Sequence, residues 1–223
     1  MTVKEQTPSP RFEPRWPAAI AILAVILLLA LLPGRLRLFP IWATYVVGVG
    51  VLAPIVAVGL TAARARWLRI ERTVTLLFFV VMAAVTLTNL GILIGAMVRR
   101  PEDVSGLQLF TSSIAVWVTN VLMFSLLYWQ MDRGGPEARA NSERTRPDWL
   151  FPQQGAPAED VPPGWRPVFV DYLFLGYSTA TAFSTTDVMP LTSRAKMLMM
   201  LESTISLATI VVVAARAINI LGS

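Results

Sequence analysis

The chain has 223 residues, of which 55% are hydrophobic and only 15% charged, with a formal net charge of +5 and neither Cys nor His. A soluble domain carries about 25% charged residues, so this composition excludes a water-soluble globule and describes a membrane protein. Without Cys there is no disulfide framework, thiol nucleophile or cysteine metal site, and without His the usual neutral-pH base and commonest metal ligand are missing. Enzymes and cofactor sites are set aside on that ground. The basic residues stand in short clusters between apolar runs, where they orient spans and do not form a nucleic-acid surface.

Residues 1–16 form a polar N-terminal tail. Residues 17–131 read as a four-span helical bundle. Its first span, Pro17–Pro33, is near the lower length limit for crossing, and no small-x-small cleavage pattern follows it. The second, Ile41–Ala63, carries Pro54, which predicts a kink between Leu52 and Pro54. A basic loop with Arg64, Arg66, Arg69 and Arg72 separates it from the third span, Val74–Val98. Gly91 and Gly95 in that span make a small-xxx-small pair, expected to serve helix packing within the chain rather than dimerisation. Leu107–Met131 is the fourth span. Asn89 and Asn120 place hydrogen-bonding groups inside the third and fourth spans, where interhelical bonds are their expected use.

Residues 132–167 hold seven Pro and four Gly and read as a mobile polar linker. Beyond it, 168–223 contains an apolar segment at 168–186, a turn, and a clear final span, Ala195–Leu221. The first of these has Asp171 near its start and hydroxyl residues near its end, a polarity that suits a half-crossing, re-entrant segment. It is also just long enough to cross. The fold class is therefore all-α: a polytopic helical membrane protein with five clear transmembrane helices and a sixth or re-entrant segment at 168–186.

From Asp171 onward the sequence resembles the pore region of prokaryotic two-span potassium channels. Thr179 and Thr181 fall at their pore-helix threonines, Asp187 at the acid after the filter, Pro190 in the outer turn, and Glu202 and Arg216 at an acid and a base of the inner helix. The resemblance implies an ion path and assembly as a homo-oligomer, a tetramer if pore-like. It fails at the filter, where Ser184 and Thr186 replace the two glycines of the TVGYG kind. Each non-glycine residue in that geometry costs about 1–2 kcal/mol, so a potassium-selective filter of the usual build is not expected. The overall plan is also similar to an uncharacterised family of bacterial multi-span membrane proteins, matched by Asp171-Tyr172-Leu173-Phe174, Thr185-Thr186-Asp187-Val188 and Thr192-Ser193-Arg194. That likeness implies a multi-pass protein of the bacterial cell membrane and brings no known activity.

The candidates for a polar path or degenerate filter are thus Ser184, Thr185, Thr186, Asp187 and Glu202. Glu202, Ser206, Thr209, Val213 and Arg216 recur at helical spacing, which places them on one face of the last helix. The positive-inside rule puts the N-terminus inside, with Lys4, Arg11, Arg15, Arg64, Arg66, Arg69 and Arg72 set against Arg35, Arg37, Arg99 and Arg100. On balance this favours six crossings, both termini inside, a cytoplasmic linker and an outward-facing Asp187–Arg194 turn. Two functions follow as expectations: a channel-like or transport-related protein, or a non-conducting membrane scaffold. The lipid bilayer is the one partner the sequence names, and no cofactor is expected.

Overall fold

The computed structural model describes residues 13–31, 41–60, 65–99, 106–141, 146–182 and 187–221. Seven helices lie among them: α1 (Trp16–Leu31), α2 (Ile41–Leu60), α3 (Ala65–Arg99), α4 (Gly106–Met131), α5 (Pro136–Asn141), α6 (Phe169–Ala182) and α7 (Ser193–Leu221). Two short strands, β1 (Trp149–Leu150) and β2 (Met189–Pro190), pair antiparallel.

Three helices, α3, α4 and α7, contain stretches long and apolar enough to cross a membrane. Five such spans were expected. α1 has 16 residues, about 24 Å at the helical rise, which is short of a hydrocarbon core of about 30 Å. α2 runs on as one helix through Pro54. α3 begins earlier than the apolar run predicts, taking in Arg66, Arg69 and Arg72. Arg, Leu and Glu are all good helix formers, so a basic segment need not be a loop.

α4 is the hub, packing against α1, α3, α6 and α7. Edge-to-face rings of Phe79 and Phe124 lie at 5.5 Å between α3 and α4, and those of Trp129 and Phe169 at 6.0 Å between α4 and α6. Buried Phe124, Tyr128, Trp129, Trp149, Tyr172 and Leu175 concentrate the core toward the C-terminal end of α4.

At that end the chain builds a cap. Arg133 has φ of 52°, and Gly134 and Gly135 also have positive φ, a run of left-handed residues that turns the chain sharply out of α4 into α5. Glycine enters this region without penalty, whereas Arg133 does so at a cost of about 1 kcal/mol or more. Asp132 is fully buried; its carboxylate accepts from the Asp148 amide at 2.7 Å and the Tyr172 hydroxyl at 2.6 Å. Arg139 donates to the carbonyls of Trp129 and Asp132 and pairs with Glu13 at 3.1 Å. Asp148, also fully buried, accepts from Arg194 through both carboxylate oxygens and from the Thr192 hydroxyl at 2.7 Å. Thr192 in turn accepts from the Ala195 amide at 3.3 Å, an N-cap for α7.

This corrects the mobile-linker reading of 132–167. The exposed stretch Pro152–Asp160 has only a 3-10 turn and bends, but both ends of the segment are anchored. Trp149 and Phe151 fill the core beside Tyr128 and Tyr172, with ring centroids at 4.8 and 5.3 Å. Aromatic burial and two buried carboxylates outweigh the flexibility that seven prolines and four glycines suggest.

Candidate functional site

The cap decides the course of α6. Its N-terminus lies beside Asp132 and Trp129; further along, Gly176 meets Val121 and Ser125, and Tyr177 meets Trp117 with ring centroids at 6.1 Å. α6 therefore runs antiparallel to α4, away from the cap. Fourteen residues reach about 21 Å, less than a full crossing. Yet β2, which follows, is paired with β1 in the cap, and Arg194 is bonded to Asp148 there. Both flanks of the segment thus lie at the same end of the bundle. The six-crossing arrangement puts Asp187–Arg194 on the face opposite the linker, and the described residues do not: α6 starts at the cap, and β2 and the start of α7 lie at that same end.

A helix that stops inside a bundle leaves its last carbonyls without helical partners. Here α7 supplies donors. The Ser206 hydroxyl donates to the Ala180 carbonyl at 2.6 Å and the Ser203 hydroxyl to the Thr179 carbonyl at 3.2 Å. Trp117 Nε1 of α4 donates to Ser206 Oγ at 2.7 Å, locking that hydroxyl's orientation. At membrane depth such satisfaction is required wherever backbone leaves the helical ladder.

Glu202 lies one turn nearer the cap on α7 and is fully buried. Its Oε2 accepts from the Tyr128 hydroxyl at 2.5 Å. Its Oε1 has no hydrogen-bond partner and faces Gly176, where a Cβ would lie 3.3 Å away. The same added atom would run into Ser125 Oγ and stand 3.2 Å from the Val121 carbonyl, so only glycine admits this approach of α6 to α4 and α7. Asn120 Nδ2 donates to the Glu202 carbonyl at 3.3 Å, leaving Asn120 Oδ1 without a donor. Thr179 Oγ1 is buried and likewise has no partner. The result is a polar seam between α4, α6 and α7, descending from the cap through Glu202 and Tyr128, then Asn120, Thr179 and Ser203, to Ser206 and Trp117.

The residues expected to line a path are only partly brought together. Ser184, Thr185 and Thr186 lie outside the described residues, as does the side chain of Arg216. Asp187 is exposed at the cap, far along the chain's course from Glu202. The face carrying Glu202, Ser206 and Thr209 is fully buried against α4 and α6 and does not open outward. Asn120 belongs to the seam. Asn89 is buried in α3 with its Oδ1 unpaired. Among the described residues, a Cβ at Gly91 or Gly95 would meet nothing within 4 Å.

Asp171, outside the spanning helices, closes the first turn of α6 by accepting from the Val168 amide at 2.7 Å. Partial burial raises its carboxyl above the usual value, and that hydrogen bond partly offsets the rise. Its place in an apolar run is explained by helix capping, not by a path. Sequence reasoning missed Tyr128, Trp117, Ser203 and Gly176. No family model, curated protein or solved structure matches the chain.

Proposed function

We propose that the protein is a channel-like or transport-related integral membrane protein of five spans, α1, α2, α3, α4 and α7, the short α1 being accommodated by local thinning of the bilayer, with α6 as a half-crossing helix. The path follows the seam between α4, α6 and α7. One observation carries this reading: the buried, half-satisfied carboxyl of Glu202 faces Gly176 midway along α6, on the cap side of the carbonyls that Ser203 and Ser206 satisfy. Irregular backbone at membrane depth belongs either in protein or beside a water-filled path, and an ionisable side chain inside a bundle marks a functional site by default. The cap, with Arg133, Arg139, Arg146, Arg166, Arg194 and Lys196, faces the cytoplasm of the cell membrane by the positive-inside rule.

On that orientation the re-entrant segment enters from the inside, opposite to the turret of a potassium channel. With the glycine-free filter stretch, this argues against potassium selectivity of the usual kind. The seam lies within one chain, so each copy carries its own path, whether the protein is a monomer or the tetramer that a pore-like assembly implies. Proteoliposomes loaded with ion-sensitive dyes test the reading with K+, Na+ and proton gradients. Flux above empty liposomes, lost in Glu202→Gln with assembly intact, is expected; wild-type flux equal to that of empty liposomes refutes it.

The second reading is a non-conducting scaffold. What favours it is that Glu202, Ser206 and Thr209 are fully buried, with the first two bonded to neighbouring helices, as groups that only join helices would be. In that case Glu202→Gln weakens assembly without a flux to lose.

A further inference from the structure

We propose that Glu202 holds an exchangeable monovalent cation, a proton or an alkali-metal ion of sodium's size, at Oε1, with Asn120 Oδ1 and Thr179 Oγ1 as neutral oxygen acceptors beside it in the seam. This rests on the seam as a path and deepens that reading by naming the charge of what occupies it.

Three buried oxygen atoms on three different helices, Glu202 Oε1 of α7, Asn120 Oδ1 of α4 and the hydroxyl Thr179 Oγ1 of α6, have no hydrogen-bond partner among the described residues. Their residues are fully or almost fully buried, at 0%, 1% and 2% exposure. They are neighbours: the Asn120 amide is bonded to the Glu202 carbonyl, Ser203 of α7 is bonded to the Thr179 carbonyl, and Thr179 is one turn beyond Gly176, which Oε1 faces. Buried oxygens are almost always satisfied in native proteins, so three unpartnered ones on residues that adjoin in one seam call for an electropositive species that the fold itself does not supply.

The surroundings decide its sign and size. Among the described residues, the titratable group set against the Glu202 carboxyl is the Tyr128 phenol, already donating to Oε2. Ser125 donates to the Val121 carbonyl at 2.7 Å and so turns its lone pairs outward. The other neighbours, Gly176 of α6 and Trp149 and Met199 near the cap, are uncharged. No Arg or Lys of the described salt bridges reaches Glu202. An anion meets a carboxyl here, with the Tyr128 hydroxyl and the Asn120 amide already committed as donors. A divalent cation requires six or more oxygens and leaves excess charge in a low-dielectric seam. One small positive charge neutralises the carboxylate and gives the acceptors a partner.

The test is labelling of the purified full chain in liposomes by dicyclohexylcarbodiimide, a membrane-permeant reagent that adds across the O–H of a carboxylic acid, followed by mass mapping. Glu202 is expected to be labelled. Labelling slowed several-fold by Na+ or Li+, but not by choline at equal ionic strength, assigns an alkali ion. Labelling indifferent to Na+ but rising several-fold on acidification assigns a proton. A rate that responds to neither, or a Glu202 unreactive in the folded chain yet reactive after denaturation in SDS, overturns the proposal. Because the readout does not depend on flux, the two ideas separate: cation-dependent labelling without flux keeps the site and removes transport, and flux without cation-dependent labelling does the reverse.

Discussion

The placement of both flanks of α6 at one end of the bundle has a direct chemical test. Leu150 and Met189 are directly opposed in the β1–β2 pair, and both are exposed, at 39% and 59%. Opposed residues in an antiparallel pair have Cα atoms about 4.5–5.5 Å apart, inside the range of about 4.4–6.8 Å that a disulfide spans. The chain has no Cys, so a Leu150→Cys/Met189→Cys double variant has no competing thiol. Mild oxidation in native membranes should close the bridge almost completely. Had 168–186 crossed the bilayer, the two positions would stand on opposite sides of a core about 30 Å thick, and no bridge could form.

The assay counts free thiols. After oxidation, denaturation and treatment with a maleimide-polyethylene glycol, the bridged chain takes up no polymer, and prior reduction restores two adducts. Leu150→Cys paired with Val211→Cys is the control, because Val211 lies 18 residues along α7 from Ser193, about 27 Å from the cap, and should stay unbridged. The bridge closes a loop of about 40 residues, so chain-entropy arithmetic gives about 4 kcal/mol of stabilisation as an upper figure. Two persistent adducts from Leu150→Cys/Met189→Cys under oxidation would refute the shared-end arrangement, and with it the placement of α6.

Two further substitutions test the seam. Ser206→Ala orphans both the Ala180 carbonyl and Trp117 Nε1, a loss of about 2–6 kcal/mol at about 1–3 per buried group; Ser203→Ala, which removes one part-buried bond of 3.2 Å, should cost about 1 kcal/mol. Thermal unfolding in detergent ranks the pair, and a Ser206→Ala variant no weaker than Ser203→Ala contradicts the capping of α6 by α7. Gly176→Ala should destabilise by about 1–3 kcal/mol through overpacking, with part of the loss recovered in Gly176→Ala/Ser125→Ala, because the Ser125 contact is removed while the Val121 carbonyl at 3.2 Å remains. Unchanged unfolding of the single variant means that α6 and α4 do not approach as closely as described.

Apolar runs made the long helices legible. The run Leu107–Met131 anticipates α4 to within a residue, and Ala195–Leu221 anticipates α7 apart from its first turn. A shared end for the two flanks of α6 is compatible with the re-entrant alternative that the polarity of 168–186 suggests, because a run that opens with an acid and closes in hydroxyls is poorly suited to lipid along its full length. The sequence leans toward a crossing on the positive-inside count, and with 132–167 read as a slack linker nothing holds the two flanks of α6 together. The two contacts that remove the slack, Asp148 with Arg194 and β1 with β2, join residues about 40 or more apart in the chain, and no local pattern announces a pairing at that separation.

The face of α7 shows the same limit from the other side. Helical spacing correctly grouped Glu202, Ser206 and Thr209, since periodicity reports which side chains share a direction. It does not report what that direction meets. A polar stripe can face water or the ends of another helix, and in a membrane the second use has its own signature. A half-helix needs donors for its last carbonyls, so the following span must carry hydroxyls at the depth where the half-helix stops. Ser203 and Ser206 supply them, and the hydroxyl spacing read as the lining of a path is therefore first the device that lets α6 end inside the bundle. The path proposed above runs beside Glu202, where one oxygen is already committed to Tyr128 and the other is not.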